Sequence, residues 1–248
     1  MFFSGLGAIF KREFKSYFYS TTAFFYVTLF LFAVNIFTFY IGDFIGRNQA
    51  DLTPFFAFHP YIFLMFMPAL AMRLWSEEKK TGTIEILMTL PIADHILVLG
   101  KFLASWAFAA IAILATFPIW VTVSFLGNPD QTVILFSYIA SFLMAGGFLA
   151  IGGFISACTS NQVIAFILSA VISFLFLMTG FPLITEPLKA FLSPFALNII
   201  IHFSALIHYE NFTKGAISFS SLIYFSSMII FWLKITELKI THMRLGHR

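Results

Sequence analysis

Long apolar stretches without a single formal charge dominate this 248-residue chain. A helix needs roughly 20 mostly apolar residues to cross the hydrocarbon core of a bilayer. Six stretches qualify, namely Thr21–Gly42, Pro54–Met72, Phe102–Leu126, Thr132–Ala157, Gln162–Thr185 and Gly215–Leu233. All 14 basic and 11 acidic residues lie outside them, as expected because a buried charge costs about 2.5–3.5 kcal/mol on insertion scales. The pattern predicts an all-α membrane protein with six transmembrane helices in one domain, residues 1–248.

The composition excludes the other broad classes of protein. Hydrophobic residues make up 60% of the chain and charged residues 10%, whereas soluble domains average about 45–50% and 25%. Disorder requires low hydrophobicity and high charge, and a single cysteine, Cys158, excludes a disulfide scaffold. A net charge of +3 without a basic patch predicts no nucleic-acid partner.

The distribution of lysine and arginine predicts the orientation, because cytoplasmic loops carry an excess of these residues. If the N-terminus is cytoplasmic, the inner segments hold eleven of them and the outer segments three. The inner ones are Lys11, Arg12, Lys15, Arg73, Lys79, Lys80, Lys101, Lys234, Lys239, Arg244 and Arg248, and the outer ones are Arg47, Lys189 and Lys214. Both termini are therefore expected in the cytoplasm. The first apolar run is too long for a signal peptide and is interpreted as a retained anchor.

An amphipathic segment, residues 1–20, precedes the first predicted span. Its aromatic residues Phe10 and Phe14 recur at helical spacing, and basic residues occupy other faces, namely Lys11, Arg12 and Lys15. This pattern predicts an interfacial helix with its apolar face toward the lipid. An ordinary juxtamembrane anchor is the alternative.

Residues 73–101 form a long inner segment with a helix–break–helix pattern. Gly82 ends the helix that continues from the second span, and Thr83 is a candidate N-cap for a short new helix. Glu85 suits the first turn of that helix, and Pro91 ends it. Its apolar side chains share one face, namely Ile84, Leu87 and Met88. That face must be buried, because it has no soluble domain of its own to pack against, and either a membrane surface or a separate protein could bury it. The alternative is a plain turn that leads the chain back into the membrane.

These residues carry a family resemblance. The run from Glu77 to Pro91, Glu-Glu-Lys-Lys-Thr-Gly-Thr-Ile-Glu-Ile-Leu-Met-Thr-Leu-Pro, followed by Gly100-Lys101, resembles the signature of ABC-2 type transporter permeases. The start Phe10-Lys-Arg-Glu-Phe14 resembles the connecting helix of that family. The turns at 127–130 and 160–162 resemble its gliding-motility-type branch. The lysine at Lys79 is a mild departure from the family pattern, since some relatives carry an arginine near this position. The resemblance covers nearly the whole chain.

The resemblance implies a membrane subunit that works with a separate cytoplasmic ATPase. The short inner helix would be a coupling helix that inserts into a groove on the ATPase, and charged residues would fix its register. The implied coupling residues are Glu77, Glu78, Gly82, Thr83, Ile84, Glu85, Leu87, Met88, Pro91 and Lys101. The sequence contains no G-x-x-x-x-G-K-[ST] phosphate loop, so ATP and Mg are expected on the partner, with no cofactor and no enzymatic activity in this chain.

Further partners and a location also follow from the resemblance. A second copy or a related permease would enclose the translocation route, with the second and fifth spans lining it. An auxiliary subunit with an external domain is a further candidate partner, and the bacterial inner membrane is the expected location. The uncharged spans favour an apolar or amphiphilic cargo.

The outer segment, residues 186–214, is unusually apolar for a solvent-exposed loop. Such backbone is tolerated at membrane depth where protein buries it, so re-entrant half-helices are expected, with breaks near Pro187 and Pro194. An interfacial loop lying flat is the alternative. His202 and His208 are six residues apart, a poor spacing for two ligands on one helix face, and no metal site is predicted.

Two other functions are alternatives for this sequence. Glu77-Glu78 and the Phe55-x-x-x-His59 motif resemble parts of intramembrane CAAX-type proteases, but they are expected at opposite sides of the bilayer, too far apart to share a water or a metal. An ion-coupled secondary transporter commonly carries ionisable groups within its spans, and all formal charges here lie outside them. The ATP-driven permease is the favoured hypothesis.

Overall fold

The computed structural model describes residues 2–47, 49–188, 193–215 and 218–246, and within these residues it contains helices and no strands. The helices are α1 Phe2–Tyr19, α2 Thr21–Ile36, α3 Thr53–Ala71, α4 Arg73–Thr81, α5 Thr83–Thr89, α6 Asp94–Leu114, α7 Phe117–Leu126, α8 Gln131–Cys158, α9 Gln162–Met178, α10 Pro182–Leu188, α11 Pro194–His202, α12 Ala205–Thr213 and α13 Phe219–Gly246. A π-helical turn, Phe37–Ile41, extends α2. The all-α prediction is confirmed.

Within the residues that the structure describes, five helical segments are long and apolar enough to cross a membrane. They are Ala23–Ile41, Thr53–Thr81, Asp94–Leu126, Gln131–Cys158 and Phe219–Leu245. The remaining predicted span contains α9, an apolar helix of 17 residues. The chain is thus a multi-pass helical membrane protein, and a sixth crossing remains a prediction.

Helix α8 lies at the centre of the bundle and contacts α3, α6, α9, α12 and α13. Glycines on α8 allow these helices to approach closely, as small residues do in membrane bundles. A Cβ at Gly152 would lie 2.4 Å from the Cβ of Ala71 on α3, and one at Gly146 would lie 2.8 Å from the Trp106 ring on α6. The Asp130 side chain caps the N-terminus of α8 by accepting hydrogen bonds from two backbone amides, those of Thr132 and Val133.

A serine of α8 secures the junction between α3 and α4. The Ser156 hydroxyl accepts hydrogen bonds from the backbone amides of Trp75 and Ser76, each at 3.0 Å, and donates to the carbonyl of Met72 at 2.9 Å. A buried hydroxyl thus satisfies backbone groups at the start of α4. Because of this junction, α4 continues the line of the second span toward the charged segments.

The short helices α10, α11 and α12 lie at the opposite end of the bundle from α4 and α5. Helix α10 ends directly after Pro187, and α11 begins at Pro194, close to the predicted breaks; the residues between Leu188 and Ser193 lie outside the described part of the chain. Tyr209 of α12 donates to the Phe56 carbonyl at 3.0 Å and lies 3.1 Å from the Ser141 hydroxyl. These bonds join α12 to α3 and α8, and re-entrance into the bilayer stays a prediction.

Of the two histidines named as candidate metal ligands, His208 has other contacts. The two ring nitrogens of His208 lie 2.9 Å from the Ser221 hydroxyl and 3.0 Å from the His202 carbonyl, and its ring stacks on Tyr224 at 4.2 Å. The described residues contain no group of three or more potential metal ligands. His208 therefore joins α12 to α13.

Candidate coupling site at the charged end of the bundle

A cluster of four charged side chains joins three elements at the end of the bundle that carries α1, α4 and α5, called here the charged end. Its members are Arg12, Glu13, Glu78 and Lys101. The Lys101 ammonium lies 2.7 Å from a carboxylate oxygen of Glu78 and 3.3 Å from one of Glu13, and its side chain is only 3% exposed. It also lies 5.2 Å from the centre of the Trp75 ring, within cation–π range. A buried ammonium requires such partners, so Lys101 ties α6 to both α1 and α4.

Arg12 and Lys101 also determine the protonation state of Glu13. Burial by itself raises the pKa of this carboxyl, but the ammonium of Lys101 and the guanidinium of Arg12 outweigh burial and hold the pKa of Glu13 below its usual value. The Arg12 guanidinium lies 2.5 Å from Glu13 and 3.9 Å from Glu78. Glu13 is therefore an anion at neutral pH and links α1 to α6 by charge.

Gly100 lets α1 lie directly against α6. A Cβ at this position would lie 2.6 Å from the Cγ2 atom of Ile9 and 2.9 Å from its Cβ, and Ile9 is buried. Further along the same contact, the Tyr17 ring stacks on the Phe108 ring at 4.8 Å. The Gly100-Lys101 pair thus has two physical roles, close approach at the first residue and charge pairing at the second.

A row of aromatic side chains along α1 carries the predicted amphipathic pattern. Phe10 and Phe14 stack at 5.4 Å, and Phe14 meets Phe18 edge-on at 5.1 Å. Lys11 and Lys15 are exposed beside this aromatic row. The arrangement is typical of a helix at a lipid surface, and lipid contact itself stays a prediction.

The turn between α4 and α5 is built on Gly82. Its φ of +74° lies in the left-handed region, which favours glycine because it has no Cβ. The predicted N-cap role of Thr83 is wrong, because Gly82 occupies the cap position and no side chain caps α5. The hydroxyl of Thr83 instead lies 2.9 Å from that of Thr81. Helix α5 ends at Thr89, just before Pro91 as predicted.

Helix α5 presents a different face to the outside from the predicted one. Ile84, Leu87 and Met88 are 9%, 6% and 7% exposed and belong to the hydrophobic core of the chain itself. The expectation that this face lacks a local core is wrong, because the inner segment folds back onto the bundle. Ile86 is instead 67% exposed, and the residues exposed with it are Thr83, Glu85, Thr89 and Leu90.

The last helix, α13, fixes the connection between α5 and α6. Arg244 of α13 lies 3.0 Å from a carboxylate oxygen of Asp94 and donates to the Ile92 carbonyl at 2.7 Å. Thr241, one turn earlier, donates to the other oxygen of Asp94 at 2.8 Å. Sequence reasoning missed these residues as parts of the site, and it also missed Glu13. Acidic side chains near helix starts are common, and no sequence pattern pairs Asp94 with a residue 150 positions away.

A cavity of about 900 Å³ opens beside the charge cluster, between α1, α2, α3, α4 and α6. At one end its wall is charged, with Arg12, Glu13, Arg73, Glu77, Glu78 and Lys101. Farther from the charged end the wall is formed by Tyr26, Leu29, Ala33, Met65, Phe66 and Ala69, and the cavity is open to the surface of the bundle there, since Leu29 and Met65 are exposed. Helix α3 thus contributes to the wall, and α9, within the fifth predicted span, contributes Phe166; that these two spans line a translocation route stays a prediction.

The structure separates the two motifs that resemble a membrane protease. His59 lies in α3, with its Nδ1 atom 2.9 Å from the Ser141 hydroxyl, whereas Glu77 and Glu78 lie in α4. Eighteen residues of nearly continuous helix between His59 and Glu77 correspond to about 27 Å. The histidine and the glutamates cannot act on one substrate atom, and the protease alternative is excluded.

The long apolar helices, with all formal charges outside the six predicted spans, define a helical integral membrane protein. The chain belongs to the ABC-2 family of transporter proteins, since the model for that family, described as ABC-2 family transporter protein, matches residues 7–239. The match includes the residues named for the interfacial helix, from Phe10 to Lys15, and all of the predicted coupling residues, from Glu77 to Lys101. No curated protein matches the sequence significantly.

Proposed function

We propose that this chain is the six-span membrane subunit of an ATP-driven transporter and couples to a separate ATPase in the cytoplasm. The observation that carries the proposal is the exposed face of α5, where Ile86 is 67% exposed and Leu90 38%. Membership of the ABC-2 family supports it. In this arrangement the charged end faces the cytoplasm, both termini lie there, and ATP and Mg bind the partner.

Helix α5 is suited to receive force because its two sides differ. Its inner side chains, Leu87 and Met88, are buried in the core, so the helix is seated on the bundle. Its outer side offers an apolar contact at Ile86 next to a carboxylate at Glu85, the combination expected for a helix in a groove. The exposed residues, rather than the buried ones, would contact the ATPase.

Movement of α5 would reach the transmembrane helices through the charge cluster. Helix α5 follows α4 across the Gly82 turn, and Glu78 of α4 holds Lys101 of α6 and, through it, Glu13 of α1. A push on α5 would therefore tilt the second and third spans together with α1. The assembly would contain two ATPase subunits and a second copy of this chain or a related permease.

Substitution of Ile86 tests the docking face. Ile86→Asp should abolish co-purification with the ATPase and the stimulation of its ATP hydrolysis, because loss of one buried isoleucine contact costs about 1.5–3 kcal/mol, roughly 10- to 150-fold in affinity. Ile86→Leu keeps an apolar contact and should retain assembly. Size-exclusion chromatography in detergent confirms that both variants are folded.

Leu87→Asp gives the contrasting result in the same assays. Because Leu87 is 6% exposed, a carboxylate there should reduce the yield of folded permease. If Ile86→Asp assembles and stimulates ATP hydrolysis like the unsubstituted protein, the docking face is wrong. If the folded chain never binds an ATPase, the proposed function itself fails.

A further inference from the structure

The mouth of the cavity carries one basic and one acidic side chain that the protein leaves unpaired. Arg73 and Glu77 lie one turn apart on α4, line the cavity and are both exposed. Neither forms an ion pair with any residue that the structure describes. Residues at this spacing have Cβ atoms about 5–6 Å apart, so one cation and one anion stand side by side.

The other charges around the cavity already neutralise one another. Lys101 is held by Glu78 and Glu13, and Arg12 lies against Glu13. A ligand at the mouth would therefore meet the guanidinium of Arg73 and the carboxylate of Glu77. A headgroup that carries both a phosphate and an ammonium complements both of these groups.

The apolar part of the cavity, which opens on the surface of the bundle, suits a hydrocarbon chain. Alanines at positions 23, 33 and 69 leave space between α2 and α3, and Leu29, Met65 and Phe66 supply apolar walls. The hydroxyl of Tyr26 is already donated to the Phe66 carbonyl at 2.9 Å. From Arg73 to Met65 the helix covers about 12 Å, and the volume of about 900 Å³ lies within the usual range for ligand sites, about 300–1,000 Å³.

We propose that the cavity binds a zwitterionic phospholipid, with its phosphate at Arg73, its ammonium at Glu77 and an acyl chain along Ala69 and Ala33. The assignment of this lipid as the transported substrate class rests on the proposed function. An anionic lipid lacks the ammonium that Glu77 requires, and a neutral diacylglycerol leaves both charges unpaired. The headgroup, more than the chain, provides the selectivity.

Cysteine protection in the purified permease–ATPase complex tests the site. The variant Ala69→Cys is made in a Cys158→Ser background and labelled with a maleimide, with and without dihexanoyl phosphatidylethanolamine. Dihexanoyl phosphatidylglycerol and dihexanoylglycerol are the comparison probes. Cys158 of the unsubstituted protein, which is exposed and does not line the cavity, is labelled in a separate sample as the reference reaction that no lipid should slow.

Phosphatidylethanolamine should slow labelling of the cysteine at position 69, and the other two probes should not. Arg73→Gln or Glu77→Gln should raise the protecting concentration about tenfold, because each removes one charge-assisted contact. Lys80→Gln, on the same helix but outside the cavity wall, should leave it unchanged. The proposed site would be overturned if all three probes protected equally, if none of them protected, or if neither of the two α4 substitutions changed the protecting concentration.

ATP hydrolysis by the same complex decides whether the lipid is a substrate. Phosphatidylethanolamine should stimulate hydrolysis, with the same dependence on Arg73 as protection. Protection without stimulation would overturn the assignment as cargo while keeping the binding site. If the permease purifies without an ATPase, the proposed function fails, and the labelling experiment on the permease still decides whether lipid occupies the cavity.

Discussion

Replacement of Lys101 by methionine would remove the central cation of the charge cluster while keeping a side chain of similar length. Glu78 and Glu13, which are 2.7 and 3.3 Å from the ammonium, would then face each other without it. Loss of one partner of a buried ion pair costs about 3–5 kcal/mol. Because both carboxylates are 16–17% exposed and Arg12 stays nearby, we expect about 2–3 kcal/mol.

Thermal unfolding in detergent, followed by fluorescence-detected size-exclusion chromatography, measures this loss. For a chain of this size about 1 kcal/mol shifts the Tm by about 2–4 °C, so Lys101→Met should lower the Tm by about 4–12 °C. The triple variant Lys101→Met, Glu13→Gln, Glu78→Gln should recover most of it, since no unpaired charge remains. A Tm within 1–2 °C of the unsubstituted value for Lys101→Met would refute the view that this ion pairing holds α1, α4 and α6 together.

Two more substitutions test contacts at the charged end. Gly100→Ala should displace α1, because the new Cβ would lie 2.6 Å from Ile9. Cross-linking between cysteines placed in α1 and α6 should therefore fall, and the additional substitution Ile9→Ala should restore it. Unchanged cross-linking in the single variant would argue against the close contact. Arg244→Gln removes the ion pair to Asp94. It should reduce the stimulation of ATP hydrolysis, measured by hydrolysis assays, more than it reduces binding of the ATPase, measured by co-purification. Stimulation equal to that of the unsubstituted protein would show that α13 does not position the coupling segment.

Residues near the coupling segment show how far sequence reasoning reached. Gly100 and Lys101 were identified through a family resemblance, and the structure supplies their physical roles, close packing and ion pairing. The apolar face at Leu87 was also found correctly as a face, since helical spacing makes side chains three and four apart neighbours. Its direction was predicted wrongly, because spacing does not say whether a face meets the same chain or another one.

The helical class and the membrane location follow from the sequence, because a bilayer admits long apolar segments only when each satisfies its own backbone hydrogen bonds. The pairing of Glu13 with Lys101 and of Asp94 with Arg244 required the tertiary structure, since these residues are 88 and 150 positions apart. Likewise, the cavity with the unpaired charge of Arg73 at its mouth is formed only when α1, α2 and α4 pack together. Local spacing determines helices, whereas packing between distant helices determines which side chains are buried, paired or left available for a ligand.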